Sequence, residues 1–201
     1  MPGAPAHGRR IADTTSQPSC STADPPSGFE ASGRVVLTAV IETPEGSRNK
    51  YDHDPSCAAF RLKAVLPKGI SFPYDFGFIP ATLGDDGDPL DVPVLLDAPV
   101  VVGCLLTVRV VGVIEAEQRQ GDAQWTGNRR LIAVATHAHA QEHVHAMGDL
   151  RPHLLDEIEA FFAQHNQLNG KEFKPTGRGS PDRAGALIDR GIAARRKSAG
   201  S

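Results

Sequence analysis

The stretch GDDGDPLD, Gly84 to Asp91, holds four aspartates in eight residues, broken by two glycines and a proline. Carboxylates this crowded repel one another, so unless they are fully solvated their ionised forms require a compensating cation. Asp86 and Asp88, two apart, point to the same side of an extended backbone, while Pro89 redirects the chain and brings Asp91 round. Hard oxygen donors of this kind suit Mg2+ or Mn2+, which usually keep several waters and bind substrate phosphates. The Gly and final Glu spacing of an EF-hand is absent. The plain alternative is a solvated loop, because Asp, Gly and Pro are the residues that turns prefer. Strands expected on both sides of the cluster place it at the rim of a sheet rather than in a linker.

The elements that would position this turn follow from hydrophobic periodicity. Residues 1–33, rich in Pro, Ser, Gly and Ala, read as a disordered extension. From Arg34, VVLTAVIE, KYDHD, FRLKAVLP, DVPVLLD, CLLTVRVVGVIEAE and RRLIAVAT have strand character, with polar turns between them. Helical spacing begins late. Leu150, Leu154, Leu155, Ile158, Phe161 and Phe162 recur at three and four, giving one apolar stripe. A second helix is expected near PDRAGALIDRGIAARRK, opened by Pro181 and fraying through Arg195, Arg196 and Lys197 into a basic tail over 191–201. Strands followed by helices indicate an α+β fold, a small closed or partly closed β-barrel flanked by two C-terminal helices, with one folded domain over 34–190.

Composition bounds the function. Of 201 residues, 40% are hydrophobic and 22% charged, which suits one globular domain with tails. The net charge of -3 gives no global footprint for nucleic acid. Cys20, Cys57 and Cys104 have neither disulfide-framework nor zinc spacing, so a reducing, cytoplasmic setting is expected. The apolar run from Ala98 to Ile114 contains Arg109 and many valines, so it reads as buried strand with a break near Gly103 and not as a membrane span.

DDGDPLD resembles the aspartate motif of the soluble family I inorganic pyrophosphatases. IETPEGSRNKYDHD, FPYDFGFIPATLGDDGDPLDV and RRLIAVA resemble further segments of that family, in the family's order, and the resemblance covers roughly residues 34–190. It implies an OB-like barrel, Mg2+ (or Mn2+) as cofactor, pyrophosphate as substrate and a homo-oligomer, hexameric as in bacterial members. By position, Asp86 and Asp91 match direct metal ligands, with Asp91 the bridge between two ions. Asp88 matches the residue that orients or deprotonates the attacking water. Glu42 matches an acid acting through water, Lys50 a phosphate contact and Arg130 the basic phosphate ligand of the later strand. Asp52 stands where the family usually has Glu.

The chain also departs from the family pattern. Ala64 stands where an arginine is usual, and Lys63, one residue earlier, would face the other side of a regular strand. Phe72 and Phe76 replace tyrosines. Glu117, after a one-residue shift, and Asn128 stand for two later aspartate ligands. His165 and Asn166 occupy Tyr and Lys places, with Lys171 and Lys174 as substitutes from a following loop. The expected activity is hydrolysis of pyrophosphate by metal-activated water. The alternatives are a non-catalytic phosphate- or metal-binding relative with a degenerate site, and a hydrolase of another small phosphoanhydride.

Three other motifs compete for attention. His137, His139, His143 and His145 have spacings that can converge on Zn2+ or Ni2+, against the simpler reading of a surface loop. Trp125 reads as cover for a polar hairpin. GRGSPDR reads as the start of a helix, since it lacks the spacing of a phosphate-binding Gly-rich loop.

Overall fold

The computed structural model describes residues 35–200. The extension expected over residues 1–33 lies outside the described residues, as does Cys20. The elements in chain order are β1 (Val36–Thr43), β2 (Asn49–Asp54), β3 (Ala59–Val65), β4 (Asp75–Ile79), β5 (Leu90–Leu95), β6 (Leu105–Gln120), β7 (Thr126–Gly127) and β8 (Arg130–Ala135). A single 3-10 turn (Met147–Asp149), α1 (Leu154–Leu168), β9 (Lys171–Gly179) and α2 (Pro181–Ala199) complete it.

Five strands close a ring. β1 pairs with β4, β4 with β5, β5 with β8, β8 with β6, and β6 returns to β1. Only the β5–β8 step is parallel. The inside is filled by β-branched and leucine side chains that are almost fully buried, among them Ile41, Val92, Val108, Val110, Leu131 and Ile132. Such residues pack well on a pleated surface, and their burial supplies the main driving force. The fold is thus the α+β arrangement of a closed small β-structure with two helices, while β2 and β3 form a separate hairpin beside the ring.

Two expectations change. The segment after α1, read as a loop carrying Lys171 and Lys174, is strand β9, paired along the far half of β6 from Val113↔Gly179 to Gln120↔Lys171. Pro175, Gly177 and Gly179 read as breakers, yet the pairing accommodates Pro175 next to a bulge between Glu115 and Ala116. Phe173 packs against the core from this strand. The basic tail expected from residue 191 is instead the second half of α2, which continues through Ala199. Ser180 caps that helix, its hydroxyl accepting from the Arg183 N–H, and Pro181 opens it. Arg196 and Lys197 lie in its last turn, where a positive charge complements the helix dipole.

α1 starts later than the apolar stripe, so Leu150 packs from the turn ahead of it while Leu154, Leu155, Ile158 and Phe162 are its buried face. Asp75, buried at the start of β4, accepts from the Glu45 and Val100 N–H groups and ties two connecting loops to the ring.

Candidate active site

The acidic turn is fixed at its base before any ligand is considered. The Thr82 hydroxyl donates to the Ile79 carbonyl at 2.6 Å and accepts from the Leu90 N–H at 3.0 Å, closing the loop between β4 and β5. Within the loop the Gly84 N–H donates to the Asp88 carbonyl at 2.7 Å and the Gly87 N–H to the Gly84 carbonyl at 3.2 Å. Gly87 has φ +89°, a left-handed conformation that glycine adopts without steric cost. The Asp88 N–H approaches Asp86 Oδ1 at 3.3 Å, and the Asp86 and Asp88 residues are exposed at the rim. Asp85 is exposed to solvent and also pairs with Arg129.

Asp91 is placed by register. β5 and β8 run parallel with Asp91 opposite Arg130. The Arg130 Nη1 donates to Asp91 Oδ2 and to Asn128 Oδ1, both at 2.6 Å. Arg130 is 4% exposed, and its guanidinium lies 4.0 Å from the Phe162 ring centroid and 5.2 Å from that of Phe173. Its Nε, also buried, has no hydrogen-bond partner among the described residues. Burial pulls the guanidinium below its ordinary pKa, but arginine remains a cation in proteins. Phe72 and Phe76, the tyrosine replacements, are buried wall residues.

The hairpin β2–β3 supplies the facing group. The Glu42 Oε1 at the end of β1 accepts from the His53 N–H at 2.7 Å, and Thr43 Oγ1 accepts from the Tyr51 N–H at 3.1 Å, so β1 holds the hairpin. Lys50 Nζ donates to Asp52 Oδ1 at 2.5 Å, and Lys63 pairs with the other oxygen of Asp52. Lys63 therefore does not face away. The register passes from Tyr51↔Leu62 to Lys50↔Ala64, leaving Lys63 as the extra residue of a bulge, and a bulge re-aims side chains.

Electrostatics ties these groups into one site. Burial pushes the Glu42 carboxyl up to about 7, helped by Asp52 and Asp91 and opposed by the His53 N–H and Lys50. Asp86, though exposed by area, is raised by the crowding of protein around its carboxyl, which displaces water, and then by the charges of Asp91 and Asp88; Asp91 is raised by burial despite Arg130 and Lys50. Against the cost of burial, Lys50 and Lys63 hold Asp52 below the usual range. Lys63 in turn feels Asp88 and Glu42 as well as Asp52. His165 is pushed down to about 4 by burial and by Lys50, Arg130 and Lys171, and its buried Nδ1 has no partner among the described residues. Asn166 donates to the Phe162 carbonyl at 2.9 Å.

The structure thus brings together Glu42, Lys50, Asp52, Lys63, Asp86, Asp88, Asp91, Asn128 and Arg130, with Lys171 at the side of His165. Glu117 stands apart: it is exposed on β6 opposite Gly127 and Lys174, and its carboxylate makes no hydrogen bond or ion pair among the described residues. Sequence reasoning also passed over Glu115, Arg129 and Arg183. Their only signal was the pair Arg129-Arg130 ahead of a strand, where alternation sends neighbours to opposite faces.

Among the described residues no three His, Cys, Asp or Glu side chains gather tightly enough to enclose an ion by themselves. Mg2+ does not need such a cage, since it uses one or two carboxylates, several waters and substrate phosphates. Oxygen donors whose charges raise one another's pKa fit that requirement. The histidine-rich loop is organised otherwise. Arg109 donates to the Gln141, Glu142 and Val144 carbonyls, and Asp97 accepts from the His139 and Ala140 N–H groups. Trp125 packs under the Arg119 guanidinium, 4.7 Å from its ring centroid.

A closed ring whose rim carries carboxylates paired with buried Arg130 and with Lys50 and Lys63 suits a hard cation and a polyanion. Residues 39–196 match the inorganic pyrophosphatase family. An inorganic pyrophosphatase of Nostoc sp. is 38% identical over 159 residues, covering 79% of this chain and 91% of the relative. The crystal structure of the Thermus thermophilus inorganic pyrophosphatase superposes with a TM-score of 0.75 at 35% identity, covering 86% of this chain and 98% of that one. An Anaplasma phagocytophilum structure gives 0.74 at 30% identity, covering 86% and 99%. The chain belongs to the inorganic pyrophosphatase family.

Proposed function

We propose that the chain hydrolyses inorganic pyrophosphate to two phosphates at this rim, with Mg2+, or Mn2+, held by Asp86 and Asp91 and reached through water by Glu42. The observation that carries the reading is the register placing Asp91 beside buried Arg130 directly below the acidic turn. When bound, the divalent ion supplies Lewis-acid charge that screens the phosphate oxygens and makes water easier to deprotonate. Asp88 is the proton acceptor. Its carboxylate accepts no hydrogen bond from the protein among the described residues, and it projects from the exposed tip of the turn. As the water oxygen bonds to one phosphorus, the proton passes to Asp88 and the bridging P–O bond breaks. The departing phosphate takes the electron pair, and Arg130, Lys50 and Lys63 meet its charge. Lys171, whose charge reaches His165, is assigned to the outer phosphate.

Arg130 suits this work because it is already desolvated and locked, so no reorganisation is needed when charge develops. A non-catalytic relative has less to support it, since the turn, the hairpin acid and the cations all converge. We also infer a homo-oligomer, a hexamer by the family resemblance, acting in the cytoplasm; no helix among the described residues is long and apolar enough to cross a membrane. Phosphate release from pyrophosphate, measured with Mg2+ and with Mn2+, tests the activity. No release with either ion rejects it.

A further inference from the structure

Beside the acidic turn runs a chain of ion pairs that the reaction does not use. Arg183, in the first turn of α2, donates through Nε to Glu115 Oε1 on β6 at 2.6 Å. The other oxygen of Glu115 accepts from Arg129 Nε, also at 2.6 Å. Arg129 then pairs through Nη1 with Asp85, the residue next to Asp86 in the turn. One guanidinium therefore spans a strand carboxylate and the acidic turn, a bridge that its fixed fork can make and an ammonium cannot.

Two further observations show that the fold makes room for this bridge. A Cβ at position 127 would lie 2.7 Å from Asp85 Oδ2 and 2.9 Å from Arg129 Nη1, so Gly127 leaves the space in which the pair meets. Asp85, Gly127 and Arg129 also line a small concavity together with Asp86 and Asp91, so the bridge borders the proposed metal ligands. α2 also meets the root of the turn directly. The Leu83 N–H donates to the Gly191 carbonyl at 3.1 Å, and a Cβ on Gly191 would lie 3.1 Å from Leu90 and 3.3 Å from Thr82. Helix α2 thus braces the turn at its root and, through Arg183, Glu115 and Arg129, at Asp85.

We propose that Arg129 is a positioning residue for the metal-binding turn, holding Asp85 so that the neighbouring Asp86 and Asp88 stay aimed at the site. The inference rests on the functional reading above for its catalytic consequence. Outer groups that orient a metal ligand are commonly worth about 10- to 100-fold in affinity or activity. The sign separates positioning from simple charge. Arg129→Ala removes a positive charge close to carboxylates that bind a cation, so Coulomb attraction alone would tighten metal binding. Positioning demands the opposite.

The experiment titrates Mn2+ into the unliganded full chain by calorimetry, for the wild type, Arg129→Ala, Arg129→Lys, Asp85→Ala and the double variant. Phosphate release from pyrophosphate is followed in parallel. The expected result is about 10-fold weaker Mn2+ binding in Arg129→Ala, with kcat reduced and KM for pyrophosphate little changed. Arg129→Lys should recover only part of the loss, and the double variant should be no worse than Asp85→Ala alone. Unchanged or tighter Mn2+ binding in Arg129→Ala, or losses that simply add in the double variant, overturns the proposal. If Arg129→Ala does not fold, Glu115→Gln, which keeps the shape and weakens the bridge, must show the same weakening or the proposal fails. A wild type that binds Mn2+ but releases no phosphate defeats the functional reading and leaves the binding comparison to decide the role of Arg129. A wild type that binds no Mn2+ defeats both.

Discussion

Arg130 combines two roles that a lysine would perform less completely. It pairs with Asp91 and stacks on Phe162, and in the proposed reaction its guanidinium meets the departing charge. Arg130→Lys should keep the cation and retain hydrolysis within about tenfold, whereas Arg130→Met should lose about 100-fold or more in kcat. Steady-state kinetics of the two variants checks this. Glu42 gives a pH signature. Its carboxyl stands at about 7 in the folded chain, chiefly through burial, against an ordinary 4.5. Between those values the folded state holds a proton that the unfolded state has released, so stability falls as pH rises and levels off above about 7. Urea titrations of the chelator-treated chain should show this decline, of roughly 1–3 kcal/mol, and Glu42→Gln should flatten it. An unaltered slope in Glu42→Gln would place the buried proton elsewhere. At this scale the sequence was most readable where chemistry and turn preference coincide, in Asp86, Asp88 and Asp91. The Asp85–Arg129 pair was not readable, because its partners are 44 residues apart and meet only through folding.

Strand register decides which side chains arrive at the rim. Asp91 and Arg130 meet because β5 and β8 pair in parallel, and Lys63 reaches Asp52 because β3 is bulged. Alternation could suggest which residues share a face of a regular strand, but the bulge reverses that inference for Lys63. β9 was hidden for a related reason. Its half-buried alternation through Lys171, Phe173 and Pro175 is interrupted by the residues that usually end strands. The ring leaves little slack at Gly77 on β4, where an added Cβ would run into the Val40 carbonyl of β1. Gly77→Ala should therefore destabilise the fold by about 2–4 kcal/mol in urea unfolding, since both clashing partners are backbone. A loss below about 0.5 kcal/mol would show that β1 and β4 can move apart freely.

For the molecule as a whole, the apolar ring and the site are separable. The core of Ile, Val and Leu is closed by strand pairing, while the carboxylates proposed to act on substrate lie outside that apolar cluster. Chelation should accordingly stop hydrolysis while leaving far-ultraviolet circular dichroism unchanged, with only a modest fall in Tm from the lost binding energy. Collapse of the dichroism spectrum on chelation would mean that the ion is structural. The α+β class, most strands and both helices were legible from periodicity and turn residues; closure of the ring was not, because β6 pairing with both β1 and β8 is a long-range event. The central claim is that Asp91, set against Arg130, carries the divalent-ion chemistry of pyrophosphate hydrolysis. It is tested most directly by Mg2+-dependent phosphate release from wild type and Asp91→Ala, with folding verified by circular dichroism. The account requires robust release from the wild type and none above background from a folded Asp91→Ala chain. Equal rates for the two proteins would contradict it.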